Sequence, residues 1–482
     1  PIAQALSVNE DGLPQGSDSS KGSLSASGQF TVVQGADGIA HYRIDTSTSH
    51  DTGLTSQGQA VVWGAPSITT TSSGQVYTYE GTANGAVIFT LVLRADGSYS
   101  FNLNGAVDHP VNADELTLNI PVLVQDRDGD TASVTLPVTI YDDKPVNPIA
   151  QALSVHEDDL ATGTAQSKES TTANGQFTTT QGADGIAHYR IDTSTSNDTG
   201  LTSQGQAVVW GSPSITTTSS GQVYTYEATA NGAVIFTLVL RADGSYSFTL
   251  NGAVDHPVNA DELTLNIPVL VQDRDGDIAS GTLPVTIYDD KPVNPIAQAL
   301  SVNEDDLPQG SDGSKESLSA SGQFTVMQGA DGIAHYRIDT STSHDTGLTS
   351  QGQAVVWGAP SITTTSSGQV YTYQGIANGV VIFTLVLRAD GSYSFTLNGA
   401  VDHPVNADEL TLNIPVLVQD RDGDIASGTL PVTIYDDKPV NPIAQALSVN
   451  EDGLPQGSDS SKGSLSASGQ FTVVQGADGI AH

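Results

Sequence analysis

The side chains with the most chemical reach in this sequence are carboxylates, and they come in clusters. Asp126-Arg127-Asp128-Gly129-Asp130 packs three acids into five residues, and Asp142-Asp143-Lys144-Pro145 ends the next apolar run. Asp108-His109-Pro110, Asp114-Glu115, Asn9-Glu10-Asp11-Gly12 and Asp37 in Gly35-Ala36-Asp37-Gly38 complete the set in the first part of the chain. Gathered like charges repel, so the arrangement costs stability unless a cation offsets it. Hard oxygen donors at short, irregular spacing suit Ca²⁺, which takes roughly six to eight oxygens, whereas Mg²⁺ prefers to keep its waters. The loop is not an EF-hand: counted from Asp126, the position that needs a bidentate Glu is Pro137. Nor does it carry the glycine-rich nonapeptide of calcium-binding β-rolls.

Other chemistries find little support. With no cysteine among 482 residues, disulfides, thiolate nucleophiles and Cys-based metal sites are excluded. Ser, His and Asp are present, but no G-x-S-x-G elbow, P-loop or dinucleotide fingerprint appears. His109, His256 and His403 each sit in Asp-His-Pro and read as turn residues. His50 is matched by Asn197 in the next copy, and Asn9 by His156, so those positions hold no single chemistry. The chain therefore reads as a non-enzyme. Its formal charge of −38 repels nucleic acid and anionic lipid headgroups. No apolar run approaches the roughly 20 residues of a membrane helix, and no signal peptide pattern is visible.

The clusters recur because the chain repeats. Pro1-Ile2-Ala3-Gln4-Ala5-Leu6-Ser7-Val8 returns at Pro148, Pro295 and Pro442, a period of 147 residues. That is too long for a solenoid unit and comfortable for an autonomous domain. The expected organisation is residues 1–147, 148–294 and 295–441 as three domains, with 442–482 as the opening of a fourth that cannot bury a core alone. A chain opening on proline and stopping at His482 looks like a segment of a longer array. The copies differ mainly in polar stretches near 10–35, 157–175 and 304–320. In the second copy the candidate ligands are Glu157, Asp158, Asp184, Asp255, Asp261, Glu262, Asp273, Asp275, Asp277, Asp289 and Asp290. In the third they are Asn303, Glu304, Asp305, Asp331, Asp402, Asp408, Glu409, Asp420, Asp422, Asp424, Asp436 and Asp437. Glu451 and Asp452 open the fourth.

The elements that must position these acids are strands. Ala86–Leu93 is a β-branched, aromatic run, and Ser98–Leu103 alternates strictly after Ala95-Asp96-Gly97. Asp-Gly between two such runs is a strong hairpin signal. Leu116–Gln125 and Thr131–Tyr141 form a second long pair joined by Asp126–Asp130, with a bulge or sheet switch expected at Pro121 and Pro137. Gln4–Val8, Gln29–Val33, Tyr42–Asp45, Gln59–Trp63 and Gln75–Glu80 are further strands, giving about nine per copy. The expected class is all-β: tandem Greek-key immunoglobulin-like sandwiches in a linear rod. Trp63, Trp210 and Trp357, one per copy, read as core.

This fold places the acids. If Leu116–Gln125 spans a sandwich, the Asp126–Asp130 tip lies at its leading end with Asp37. Asp142, Asp143, Asp108, Asp114, Glu115 and the Asn9–Asp11 turn gather at the trailing end. Across the short Lys144–Asn147 linker that end meets Asp273, Asp275 and Asp277 of the next copy. The arrangement predicts several structural Ca²⁺ ions per repeat, clamping neighbouring repeats of a monomeric chain. The bland alternative is a solvated acidic surface.

Gly58–Trp63, Thr90–Phe101, Asp108-His109, Val124–Asp130 and Ile140–Pro145 together resemble the immunoglobulin-like extender repeats of giant RTX adhesins, which Gram-negative bacteria secrete by type I systems. The resemblance covers the three full copies and the start of the fourth. It implies a calcium-dependent spacer that holds ligand-binding domains away from the cell surface for attachment and biofilm formation. It also implies an extracellular, surface location, with outer-membrane anchoring through other regions. Calcium ligands at the ends and linkers of such repeats carry over to Asp126, Asp128, Asp130, Asp142 and Asp143 and to their partners in later copies. The alternatives are repeats that bind a glycan or peptide themselves, or that self-associate homophilically in a cadherin-like manner.

Overall fold

The computed structural model describes residues 1–480, apart from 19, 21–22, 48, 166–170, 312–317, 342 and 459–464. His482 and parts of the variable polar stretches lie outside the described residues. The protein is built almost wholly of strands, and the helical pieces among the described residues are four short 3₁₀ turns. In the first repeat the strands are β1 (Leu6–Asn9), β2 (Ser25–Gln29), β3 (Ile39–Ile44), β4 (Asp51–Ser56), β5 (Gln59–Trp63), β6 (Ser67–Thr71), β7 (Gly74–Ala83), β8 (Ala86–Arg94), β9 (Ser98–Leu103), β10 (Glu115–Asp126) and β11 (Thr131–Tyr141).

They form two sheets. One runs β1-β11-β10-β3, with β1 parallel to β11; the other runs β2-β9-β8-β7-β5-β4, with β6 also on β7. The inward faces follow the period-two pattern of the sequence: Phe89, Leu91, Leu93, Tyr99, Phe101 and Leu103 from one sheet meet Leu118, Ile120, Val122, Leu136, Val138 and Ile140 from the other. Trp63 is buried, edge-on to Phe89 at 5.1 Å between ring centroids. Each complete repeat is thus an immunoglobulin-like β-sandwich, of eleven strands rather than nine in the first, to which the second and third add the two-residue strands Ile149–Ala150 and Ile296–Ala297. The extra ones, β4 and β6, are polar, and β6 is exposed along its whole length.

Two expectations are corrected. The strand expected over Gln29–Val33 lies earlier, over Ser25–Gln29, because Gly28 lies against the Tyr99 ring, where an added Cβ would sit 2.7 Å from ring atoms. Val33 is 98% exposed. No bulge forms at Pro121 or Pro137, since the β10–β11 ladder runs unbroken from Glu115↔Tyr141 to Gln125↔Thr131. Asp45 N donates to Pro121 O at 2.8 Å, so Pro121 turns its missing N–H toward the end of β3, beyond the paired residues. The register shift falls instead between Gln125 and Asp126.

The chain falls into two compact units. One comprises Pro1–Val155, Ser170–Gly252 and Glu262–Tyr288; the other comprises His156–Glu169, Ala253–Asp261 and Asp289–His482. The junction of the first and second repeats lies inside the first unit. The junctions that follow the second and third repeats lie inside the second.

Candidate metal centre

At the first junction β1 delivers Asn9, whose Oδ1 accepts from Asp11 N at 3.1 Å and caps the 3₁₀ turn Glu10–Gly12. That cap fixes Glu10, which is completely buried. Its Oε1 accepts from Val107 N at 2.8 Å, while its Oε2 is buried without a donor. β11 delivers Asp142 and Asp143. Asp142 Oδ2 is likewise buried and donorless. Asp143 is tied down by its own repeat, accepting from Ser17 N at 2.7 Å and from the Ser17 hydroxyl.

The second repeat supplies the other half. In its hairpin tip Gly276 N and Asp277 N donate to Asp273 Oδ1 at 2.9 and 2.7 Å, a turn held by its own first carboxylate. Asp275 Oδ2 accepts from His109 N at 3.2 Å, and Asp277 Oδ1 from Asn112 N at 2.7 Å. Asp273 Oδ2, Asp275 Oδ1, Asp277 Oδ2 and Asp184 Oδ2 are buried without a hydrogen-bond donor. Asp142, Asp184 and Asp275 each present an oxygen within 4.8 Å of the others. Gly182, at φ +73°, lies so close to the linker that an added Cβ would be 2.4 Å from Asp143 O. Val146 N donates to Thr180 O at 2.9 Å.

The same tip in the first repeat serves as an internal control. Gly129 N and Asp130 N donate to Asp126 Oδ1 as in the second repeat, yet Asp128, Asp130 and Asp37 are exposed. Asp273, Asp277 and Asp184 are only 2–3% exposed. The tip is preformed, and the neighbouring repeat buries it.

Burial sets the electrostatics. Desolvation, with Asp184 next, pushes Glu10 up to about 10. Desolvation, then the bond with Asp277 and the charge of Asp275, pushes Asp142 to about 9. Desolvation, with Asp275 beside each, raises Asp184 and Asp273 to about 8. Asp277 is the exception: burial pushes it up, but the bond to Asp142 and the Asn112 N–H outweigh burial and hold its carboxyl low.

His109 borders the cluster, with Nδ1 3.6 Å from Asp142 and 3.9 Å from Glu10. Nδ1 lies 3.0 Å from Val107 O and Nε2 3.2 Å from Ile140 O, so both ring nitrogens face backbone carbonyls. Its neighbours Glu10 and Asp142 remain open toward the cluster.

The other predicted residues fall into distinct environments. Asp108 caps the β4–β5 hairpin, accepting from Gln57 N and Gly58 N at 2.6 and 2.8 Å, and Asp402 does the same in the third repeat. Asp114 and Asp261 pair with Lys144 and Lys291 at 2.7 and 2.6 Å, and Asp408 pairs with Lys438. Glu115, Glu262 and Glu409 begin exposed strand positions. Asp290 and Asp437 hold Thr164 and Ser311 as Asp143 holds Ser17. Asn303 caps its turn as Asn9 does. Asp11, Asp158, Asp305 and Asp452 each bury Oδ1. Asp255 is placed in the second unit at the trailing loop of its repeat, and Glu451 is exposed.

At the second junction Glu157, Asp289, Asp331, Asp420, Asp422 and Asp424 repeat the donorless pattern. Burial raises Asp289, Asp331 and Asp420 to about 8, and Glu157 well above its usual range. At the third, burial raises Glu304 to about 8. The charge that raises it most is that of Asp478, the fourth-repeat counterpart of Asp37.

Sequence reasoning missed Asp478, although the repeat period points to it. It also missed Lys144 and Lys291, which reach Asp277 and Asp424 at 3.4 and 3.2 Å, and the backbone donors His109 N and Asn112 N. Backbone donors leave no mark in sequence.

The first and second junctions therefore each gather buried carboxylate oxygens from two repeats, with one lysine reaching each set. Leaving such oxygens unpaired costs several kcal/mol in total. An irregular, all-oxygen, strongly anionic donor set fits a hard divalent cation, and Ca²⁺ best.

The family described as Domain of unknown function (DUF5801) matches residues 5–139, 152–286 and 299–433. No curated protein matches the chain in sequence. Among solved structures, a tetra-tandem repeat in the extending region of a large adhesion protein is 15% identical, with 98% of this chain and 89% of that one covered at a TM-score of 0.25. Drosophila N-cadherin EC1-3 is 12% identical, with 90% and 98% covered and a TM-score of 0.25. Mouse clustered PcdhgC3 EC1-3 is 14% identical, with 75% and 88% covered and a TM-score of 0.23. The sandwich itself is established by its own strand pairing. Among the described residues no helix is long and apolar enough to cross a membrane.

Proposed function

This chain belongs to the DUF5801 family through each of its three complete repeats, and we propose that it is a calcium-stiffened extender of a large bacterial surface adhesin. The observation that carries this reading is the set of buried, donorless carboxylate oxygens contributed from both sides of a repeat junction. A surface that served only for solubility would leave those oxygens in water, where they need no partner. The repeats at 1–147, 148–294 and 295–441 then act as stiff spacers in one chain, with no catalytic role.

In this reading Glu10, Asp142, Asp184, Asp273 and Asp275 hold Ca²⁺ at the first junction, and their counterparts do so at the next. The bound ion supplies positive charge that offsets the repulsion. The chain's own residues do the remaining work. Asn9 orients Glu10, Ser17 fixes Asp143, and His109 N and Asn112 N seat the incoming hairpin tip. The reading also supports a secreted, extracellular protein of the RTX, type I class, engaged in attachment and biofilm formation. A cysteine-free acidic chain remains loosely jointed where calcium is scarce and stiffens where it is abundant, gaining about 2.7 kcal/mol per site at 100-fold saturation.

Small-angle X-ray scattering of the whole chain tests this. Excess calcium should give a stiff particle with a larger maximum dimension than in EDTA, where the joints loosen. Asp273→Ala with Asp275→Ala should loosen the first joint at intermediate calcium. Identical curves in calcium and EDTA would refute the clamp and turn attention to glycan screening.

A further inference from the structure

One strand of each repeat has an edge without a partner among the described residues. β6 (Ser67–Thr71) and its counterparts Ser214–Thr218 and Ser361–Thr365 share one sequence, Ser-Ile-Thr-Thr-Thr, and every residue of each is exposed. Each pairs only with the strand that follows it, which is β7 in the first repeat. Along an antiparallel edge alternate residues turn N–H and C=O away from the sheet, so each of these strands presents a row of backbone groups to solvent.

The other edges of the repeat are blunted, as sheets in soluble proteins require. β4 carries Asp51 and shifts register against β5 between Asp51 and Thr55. β3 carries Arg43 and meets β10 through the shift at Asp126. β1 ends by donating Asn9 N to Ser23 O. The counterparts of β2 in the second and third repeats are capped at one end by Ile149–Ala150 and Ile296–Ala297. β6 has none of these devices. It holds no charge and no proline, and its ladder runs unbroken from Ser67↔Thr78 to Thr71↔Gly74.

Charge points the same way. The chain carries 54 acids and 16 bases, yet Thr52–Tyr79, Thr199–Tyr226 and Thr346–Leu387 contain no charged residue. In the first repeat that segment holds β4 beyond Asp51, all of β5 and β6, and the part of β7 on which β6 lies. Two chains of net charge −38 repel each other, and least where both are neutral. The strand also complements itself. Laid antiparallel on its equivalent in a second copy and centred on Thr69, it sets Ile68 against Thr70 and Ser67 against Thr71. Cross-strand pairs of β-branched residues and of Thr with Ser stabilise sheets. The pairing also covers Ile68, Ile215 and Ile362, each 51% exposed.

We propose that β6 and its counterparts are homophilic contact strands, on which a second copy of this chain lays its own β6 antiparallel and joins the two large sheets edge to edge. The contact is made by backbone groups and neutral side chains and takes no part in the calcium clamp. It extends the extender reading from a single chain to lateral pairing between neighbouring chains. A five-residue pairing is weak alone, and three equivalent strands in one chain raise the effective concentration for a second contact once the first has formed.

Sedimentation velocity of the full chain in CaCl₂, from micromolar to millimolar protein, tests this. Wild type should move from monomer toward dimer as concentration rises. Thr69→Lys with Thr216→Lys and Thr363→Lys sets lysine against lysine at the centre of each pairing, and should need at least about tenfold more protein for the same association. Thr69→Val with Thr216→Val and Thr363→Val keeps the branch and the neutrality and should associate as wild type does. Far-UV circular dichroism confirms that each variant is folded. Hydrogen exchange read by mass spectrometry should show Ser67–Thr71 and its counterparts gaining protection in the dimer. A wild type that stays monomeric throughout overturns the inference. So does a lysine variant that associates like wild type, or protection confined to other strands. Each of these outcomes leaves the calcium clamp standing, because that is read separately from scattering with and without EDTA.

Discussion

Stripped of calcium, the repeats will melt at least about 5 °C lower at pH 8.5 than at pH 5.5, and in millimolar calcium the order will reverse. The sign follows from the buried acids. Glu10, raised to about 10, Asp142, raised to about 9, and Asp184 and Asp273, raised to about 8, all stand above their unfolded values near 4. Between those limits the folded, metal-free junction keeps protons that the unfolded chain has released. A raised folded pKa contributes stability that is complete below the unfolded pKa and is lost as pH climbs through the folded one. The loss is about 1.4 kcal/mol per pH unit for each proton retained. Spread over a chain of this size, a few kcal/mol corresponds to several degrees in the melting temperature. Asp277, held low, titrates below this window and does not alter its sign. Calcium inverts the slope because it binds the deprotonated carboxylates and competes with the protons.

Glu10→Gln separates charge from packing. The amide retains an oxygen to accept from Val107 N and removes the ionisable group. It should flatten the metal-free slope, raise the melting temperature in EDTA at pH 8, and lower it in calcium. Differential scanning calorimetry across pH, with and without EDTA, decides the matter. A metal-free melting temperature that is level between pH 5.5 and 8.5 would mean that these carboxylates are not buried in solution as they are here.

How much of this was legible depended on whether the information lay in side chains or in backbone. The repeat period, the Asp-Gly hairpin between β8 and β9, the parallel pairing of first and last strands and the burial of Trp63 all follow from apolar alternation and turn chemistry. β4 and β6 escaped because they have no apolar face to alternate. β6 is exposed from Ser67 to Thr71 and is held by its ladder to β7. The prolines misled because their effect depends on which side of the strand they turn to a neighbour, and Pro121 turns its ring beyond the end of β3. The site shows the same division. Acid clusters at the ends of strands were readable as a class. Which of them remain open was not, because Asp143 is consumed by Ser17 and Asp108 by two hairpin N–H groups. Those partners lie 126 and about 50 residues away in sequence.

Gly281→Val should destabilise the first junction, against what strand propensity alone predicts. Valine suits a strand and glycine weakens one, so on propensity the change would stabilise by up to about 1 kcal/mol. The first repeat already carries this residue as Val134, which shows that the sandwich accepts it. The junction does not. A Cβ on Gly281 would lie 2.4 Å from Pro148 O and 2.9 Å from the Pro148 ring, and Gly428 stands in the same relation to Pro295. Backbone oxygen at that distance must move. Pro148 and Pro295 are buried over these glycines, while Pro1, their first-repeat counterpart, is exposed. The adjoining ladder differs accordingly. Ile149 and Ala150 pair with Thr178 and Phe177, whereas the first repeat keeps only the bridge from Ile2 to Thr31. Overpacking of this kind costs about 1–3 kcal/mol, more than propensity returns. The expected result is a lower melting temperature and a broader distribution of distances between spin labels placed in the first and second repeats, with each repeat's own sandwich intact. Val134→Gly should leave those distances unchanged. A Gly281→Val chain as stable and as stiff as wild type would show that Pro148 is not seated on Gly281, and that the linker is held by its ligands alone.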